Sequence, residues 1–271
     1  MLTFVKRFLA FLVLLLIVLD VVFITFPLKG HIPVLMYHYV VPEKQVGPTT
    51  LDVSTKNFEQ QMWFLKRFGF RPITLERLYQ IKTGKAKALG KEIVITFDDG
   101  NKSYAEYAMP ILEKYEIPSA NFIIWDALAN DLYGSMNTET AKKIAKNPLV
   151  TFGSHTVEHS SLDQVDLQKA EKEIFESRTK LKREFQTRID YFSYPVGAYT
   201  DAVMSLVQKA GYRLSFTTSI RNLCGHPETL FNLPRIKIGR DDPLFVFWLK
   251  ASGLADYTEK VKLFRKCKKP V

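Results

Sequence analysis

Two short strings hold most of the chemistry of this 271-residue chain, Thr96-Phe97-Asp98-Asp99-Gly100 and His155-Thr156-Val157-Glu158-His159. Together they offer two adjacent carboxylates and two imidazoles. His155 and His159 are two of only five histidines, and their spacing of four lets both sit on one face of a helical turn and bind one metal. The string is not the His-Glu-x-x-His pattern of zinc proteases, because Thr156 follows the first histidine; Glu158 is expected to point into solvent. Two histidines and one carboxylate leave a metal position open, which is the catalytic form of a zinc-type site and acidifies water for attack on a carbonyl. Of Asp98 and Asp99 only one need be a ligand, and the other is free to take the water's proton. Zinc suits these donors, and cobalt, nickel or manganese can also occupy them.

Apolar runs of strand type alternate with amphipathic segments after the first 30 residues, which predicts a mostly parallel sheet wrapped by helices. The strand-like runs cover 32–37, 70–74, 92–97, 119–124, 149–152, 191–194 and 214–218, enough for a barrel. Phe58, Met62 and Leu65 recur at helical spacing between a Ser54-Thr55 start and a Gly69 stop. Residues 166–185 are charged on most faces, with a narrow seam of Leu167, Ala170, Ile174, Leu181 and Phe185, and read as an outer barrel helix. His38, Asp98-Asp99, His155 and Tyr194-Pro195 each come at the carboxyl end of a strand-like run, the edge that carries barrel active sites. Successive strand side chains point oppositely, so both aspartates can serve one site only if a turn starts there. Gly100 permits it.

Lys6-Arg7 precede an apolar run over 8–19, then Asp20 and a second run over 21–27, together about the length that spans a bilayer. Residues 1–30 are expected to form a signal anchor or export signal, and 31–271 a catalytic domain outside the cytoplasm with a basic tail. The bulky Ile24-Thr25-Phe26-Pro27 stretch lacks a small-x-small cleavage site and favours a retained membrane anchor. The net charge of +10 concentrates in Lys260, Lys262, Arg265, Lys266, Lys268 and Lys269. Such a tail is either attracted to an anionic envelope surface or simply solvated. No nucleic-acid module accompanies the charge, which argues against nucleic acid as a partner, and no protein partner is indicated. Cys224 and Cys267 alone exclude a disulfide scaffold and read as independent thiols.

The motif pair Thr-Phe-Asp-Asp-Gly and His-Thr-x-x-His resembles the NodB-type polysaccharide deacetylases, carbohydrate esterase family four, with the likeness running over about 32–238. The resemblance implies an α/β fold, a distorted (β/α)7-type barrel, preceded here by a single hydrophobic helix. It makes Asp98 the general base and Asp99, His155 and His159 the ligands of a divalent metal, zinc foremost. The implied substrate is an N-acetylated envelope polysaccharide, peptidoglycan or poly-N-acetylglucosamine, from which acetate is released. The family's third motif reads Arg-Pro-Pro-Tyr-Gly, whereas this chain has Phe192-Ser193-Tyr194-Pro195-Val196-Gly197, with Ser193 in place of the arginine that steers the catalytic aspartate. Arg235, within Leu233-Pro234-Arg235-Ile236, is the expected substitute. The backbone N–H of Val196 matches the family's oxyanion donor, and Tyr194, with Tyr199 and Trp125, is a candidate sugar contact, although buried packing is the commoner role for such aromatics.

The family's C-terminal Leu-x-His acid is missing, and His226 in Cys224-Gly225-His226-Pro227 does not match it. Val34-Leu35-Met36-Tyr37-His38 instead resembles the circularly rearranged members, which makes His38 the expected proton donor to the departing amine. Two other readings compete: an O-acetyl polysaccharide esterase, and a membrane-tethered glycan-binding protein of the same fold without catalysis. The full set of ligands and base weighs against the second.

Overall fold

The computed structural model describes residues 31–218, 228–240 and 242–255, with Arg7, Phe8 and Phe11. The expected anchor, Cys224, His226, Cys267 and the basic tail lie outside the described residues, apart from those three. Among the described residues no helix is long and apolar enough to cross a membrane.

Among the described residues the strands are β1 (Val34–Tyr37), β2 (Tyr39–Val41), β3 (Asp52–Ser54), β4 (Arg71–Pro72), β5 (Glu92–Phe97), β6 (Ser119–Ile123), β7 (Val150–Ser154), β8 (Tyr191–Ser193), β9 (Leu214–Phe216) and β10 (Ile236–Lys237). The helices are α1 (Thr55–Arg67), α2 (Leu75–Lys82), α3 (Met109–Lys114), α4 (Trp125–Asn130), α5 (Thr138–Ile144), α6 (Leu167–Phe185), α7 (Asp201–Lys209) and α8 (Leu244–Ala251). Each of the seven expected strands forms. The additional strands β2, β3 and β10 are two or three residues long, too short to leave a periodic signal. Helix α1 starts where the sequence places it, with the N–H of Asn57 donating to Ser54 Oγ at 3.1 Å, and Gly69 follows in the left-handed region at φ 70°. Helix α6 is capped by Asp166, which accepts from Lys169 N at 2.7 Å.

The main sheet is parallel, in the order β10-β1-β5-β6-β7-β8-β9 with β4 beside β5, and it curls as a distorted (β/α) barrel does. Its period-2 alternation separates two cores. One holds Val34, Val94, Phe122, Tyr191, Leu214 and Phe216 inside the curl, plugged by Leu75 and Leu78 of α2. The other holds Leu35, Tyr37, Ile95, Phe97, Ile123 and Phe192 on the outer face, covered by α1, α6 and α8.

The two edges of the sheet meet on a single stretch of chain. Leu233 bridges Phe216 of β9, with Thr217 N donating to Leu233 O at 2.9 Å, and Ile236 then pairs with Leu35 of β1. Pro234, which has no N–H to offer, and Arg235 occupy the step between these pairings. Arg235 is thereby delivered into the interior, where its guanidinium stands 5.4 Å from the centroid of the Phe122 ring.

Phe122 itself needs a glycine opposite. A Cβ at position 153 would stand 2.5 Å from the Phe122 ring and 2.9 Å from the Tyr191 carbonyl oxygen, which is backbone and cannot yield cheaply. Gly153→Ala is therefore expected to destabilise the fold by about 1–3 kcal/mol. A thermal melt of the metal-free variant against wild type checks this, and an unchanged midpoint would refute it.

Candidate active site

On four strands the inward phase ends in a polar residue at the carboxyl edge. Val34-Met36 leads to His38, Val94-Thr96 to Asp98, Gly153 to His155, and Tyr191 to Ser193. The register is fixed by the ladder itself, since Asp98 N donates to Tyr37 O at 3.1 Å and His155 N to Ile123 O at 2.9 Å.

Asp98 and Arg235 form a buried bidentate pair, each 2% exposed, with Nη1 and Nη2 donating to the two carboxylate oxygens at 2.7 and 2.6 Å. The rest of the guanidinium is also satisfied: Nε donates to Thr217 O at 3.0 Å, Nη1 to Thr96 Oγ1 at 3.2 Å and Nη2 to Ser193 Oγ at 2.7 Å. Ser193 leaves room for, and binds, an arginine arriving from elsewhere in the chain. Burial alone would raise the Asp98 carboxyl; the charge and hydrogen bonds of Arg235, with His155 nearby, outweigh it and hold the group well below the ordinary carboxylate range.

The turn that was expected at Gly100 begins one residue earlier. Asp99 is itself left-handed at φ 71°, an uncommon conformation for a non-glycine residue, and this brings its side chain back to the same mouth as that of Asp98. Its Oδ1 stands 3.8 Å from Nε2 of both His155 and His159.

The two histidines do not share a helical turn. They lie in a loop with Thr156 and His159 left-handed at φ 71° and 63°, and their rings are 4.8 Å apart between centroids. The reason is that the backbone groups a helix would pair internally are taken by neighbours. The carbonyls of Thr156 and Val157 accept from Trp125 N and Asp126 N at the start of α4, at 3.1 and 2.9 Å. The N–H groups of Val157 and Glu158 both donate to Glu173 Oε2 at 2.9 Å. Glu173 is a buried carboxylate on α6, and Lys169 pairs with it at 3.1 Å. Glu158 is exposed, as expected, and binds Lys169 at 2.6 Å.

Asp99, His155 and His159 place one ligand atom each within 4.8 Å of one another. Their outer atoms are tied down as metal ligands require. Tyr39 OH donates to Asp99 Oδ2 at 2.8 Å, which leaves Oδ1 facing the histidines. His155 Nδ1 stands 2.8 Å from Ser193 O; as donor there, it leaves Nε2 as the free lone pair. Burial pushes the His155 pKa down to about 4, so the ring is neutral near pH 7. One carboxylate and two imidazoles fit a divalent cation of the zinc type.

His38 is partly buried at the same mouth, and its Nδ1 has no hydrogen-bond partner. Burial lowers its pKa, against an upward pull from the carboxylates of Asp98 and Asp99. Val196 is left-handed at φ 50° and 62% exposed, in the short 3-10 turn Pro195–Gly197. Tyr194 corrects the sugar-contact expectation: its side chain is fully buried and its OH donates to Phe231 O at 2.8 Å. Its place on the outer face of β8's continuation turns the ring into the core. Trp125 and Tyr199 are likewise packed against that core. Two residues of the site had no signal in the sequence. Tyr39 meets Asp99 across 60 positions, and Glu173 sits among the charges of α6 that resemble a solvated face.

The family described as polysaccharide deacetylase matches residues 85–215, the stretch that contains Asp98, Asp99, His155 and His159. That stretch, and with it the candidate site, is of the NodB polysaccharide deacetylase type. This makes the chain an amide-hydrolysing deacetylase. It is 29% identical over 201 residues to the poly-beta-1,6-N-acetyl-D-glucosamine N-deacetylase of Staphylococcus aureus (strain MRSA252), covering 70% of this chain and 68% of that protein. Among solved structures it is similar to IcaB from Ammonifex degensii, with 25% identity, a TM-score of 0.70, and coverage of 82% of this chain and 97% of that one. The Streptococcus pyogenes deacetylase PplD, solved in complex with acetate, shares the fold at a TM-score of 0.72 and 24% identity, covering 81% of this chain and 97% of that chain. His38 and Arg235 fall outside the residues matched by the family.

Two outcomes follow for this chain. In the metal-free protein His155 titrates at about 4 when folded, against roughly 6.5 when unfolded. Above the unfolded value both states are neutral, whereas on acidification the unfolded chain binds the proton first. Stability should therefore be full above about pH 6.5 and fall as pH drops towards 4. Urea titrations across this range measure the slope, and His155→Gln should flatten it. Tyr39→Phe should weaken zinc binding by about tenfold in competition with a chromophoric chelator; wild-type affinity would show that the hydroxyl does not orient Asp99.

Proposed function

We propose that the protein is a metal-dependent N-deacetylase that hydrolyses the acetamide of N-acetylglucosamine residues in a cell-envelope polysaccharide, acting outside the cytoplasm. The observation that carries this reading is the position of an ionised, guanidinium-held Asp98 beside a converging Asp99, His155 and His159 set at one strand edge. Similarity to the Staphylococcus aureus enzyme favours poly-N-acetylglucosamine over peptidoglycan as the polymer. Residues 1–30 serve as the membrane signal anchor in this reading, and the domain from 31 onward carries the chemistry.

Asp99, His155 and His159 would hold the divalent cation, zinc by their donor chemistry. When bound, it polarises the acetamide carbonyl and makes water acidic enough to lose a proton near neutral pH. Asp98 accepts that proton. The Arg235 pair makes Asp98 a weak base but keeps it ionised and aimed, so orientation rather than basicity is its contribution. The Val196 N–H donates to the oxygen on which negative charge develops. As the C–N bond breaks, His38, on the inward phase of β1, gives a proton to the departing nitrogen and is resupplied with the one that Asp98 took from water, and the free amine and acetate leave. His38 takes the place of a C-terminal acid, as in the rearranged members.

The test offers defined N-acetylglucosamine oligomers and peptidoglycan to the purified protein, with and without chelator, and measures acetate and free amine together. Equal release of both, lost on chelation, is expected. Acetate without amine would indicate ester hydrolysis, and no release from either polymer would remove the reading. Asp98→Asn should cut turnover by at least about a hundredfold while retaining bound metal; metal loss in that variant would reverse the two aspartates.

A further inference from the structure

The loop between α4 and α5 holds itself in an unfavourable shape. Asp131 and Tyr133 are left-handed at φ 52° and 55°, next to Gly134 at 69°, and two such non-glycine residues within three positions carry real strain. The loop also keeps large side chains in water: Tyr133 is 86% exposed and Leu132 41%.

This segment is nevertheless firmly attached, and its attachment is to the site. Lys102 N donates to Gly134 O at 2.9 Å, Met136 N to Gly100 O at 3.0 Å, and Asn101 Nδ2 to Tyr133 O at 3.4 Å. Asn101 and Ser135 form an antiparallel bridge. The partner strand of these contacts is the Gly100-Asn101-Lys102 stretch that directly follows Asp99. The anchoring fixes the backbone that carries Tyr133 relative to Asp99, and the exposure leaves its ring open to a ligand.

The cleft of 340 Å³ that contains Asp99 and His159 continues to this ring. Leu132, Tyr133 and Ile124 give it an apolar wall, while Asn101, Ser135 and Glu158 contribute polar groups. A pyranose ring has the same division, with C–H groups on its faces and hydroxyls around its rim, so an aromatic face beside hydrogen-bonding groups is the surface that matches it.

We propose that Tyr133, backed by Leu132, is a stacking platform for a second sugar ring of the bound polymer, next to the ring whose acetamide lies at the metal ligands. Tyr133 is then a specificity-determining residue that favours oligomers over single sugars. The inference rests on the polysaccharide deacetylase reading given above, and it assigns that substrate's neighbouring ring to a particular side chain.

The experiment compares wild type, Tyr133→Ala and Tyr133→Trp on N-acetylglucosamine and on its tetramer, with KM and kcat measured separately. Tetramer affinity is also measured by calorimetry in an Asp98→Asn background, where turnover does not intervene. Tyr133→Ala should raise the tetramer KM and Kd by about fivefold to tenfold, Tyr133→Trp should restore them, and the preference for tetramer over monosaccharide should shrink in the alanine variant alone. Wild-type KM and Kd for the tetramer in Tyr133→Ala would overturn the platform. So would an equal rise for monosaccharide and tetramer, which would indicate a distorted metal cleft. If wild-type protein releases acetate from the tetramer while Tyr133→Ala binds it equally well, only the platform fails; if wild type releases none from any sugar, the parent reading fails and takes the platform with it.

Discussion

The ion pair between Asp98 and Arg235 is the constraint around which the interior is arranged. Removing two charges from water carries a penalty of several kcal/mol per ion, and attraction between them offsets it only when every remaining donor is satisfied. Here they are, through Thr217 O, Thr96 Oγ1 and Ser193 Oγ. Phe122 lies beneath the guanidinium, and Gly153 is bare so that Phe122 can lie there. Interior packing at the mouth of the barrel therefore follows from one need, a carboxylate that is ionised and immobile. A pair of this kind is weak evidence for stability, and its value lies in what it holds in place.

The side of the mouth that carries Asp99, His155 and His159 is organised by opposite means. These side chains are positioned by backbone conformation and by neutral or single-charge hydrogen bonds, through Tyr39, the Ser193 carbonyl and the buried carboxylate of Glu173. Asp99, Thr156, His159 and Val196 are all left-handed, so strain gathers where the chain has to aim side chains across its normal direction. Ser193 belongs to both arrangements. Its hydroxyl meets Arg235 and its carbonyl meets His155, which ties the orientation of the Asp98 pair to the orientation of that imidazole.

Much of this architecture is legible in the sequence because strand alternation and chain polarity are strict. A polar residue two positions beyond an inward apolar one, at the carboxyl end of a strand, points into the mouth, and His38, Asp98 and His155 are readable on that ground alone. Arg235 is reached only through the family resemblance, in which Ser193 stands where an arginine is usual and another cation has to be sought. What is not legible depends on contacts that no local pattern records. The spacing of His155 and His159 imitates a helix, but α4 and Glu173 take the hydrogen bonds that would close one. Glu173 itself looks like another exposed charge on α6, and Tyr39 gives no hint of the aspartate 60 positions away. Tyr194 follows the motif in sequence, yet it belongs to the outer core and its hydroxyl is committed to Phe231.

The stretch that joins the two sheet edges couples closure of the sheet to the charge state of its interior. Asp98 and Arg235 are 137 positions apart, and the guanidinium arrives only when Leu233 has met β9 and Ile236 has met β1. Until that seam is made, the interior aspartate has no counter-ion, and a buried carboxyl without one takes up a proton and ceases to be a base. The seam that joins the sheet edges and the counter-ion of Asp98 are thus one piece of chain, so whatever loosens the seam also strips the aspartate of its charge partner.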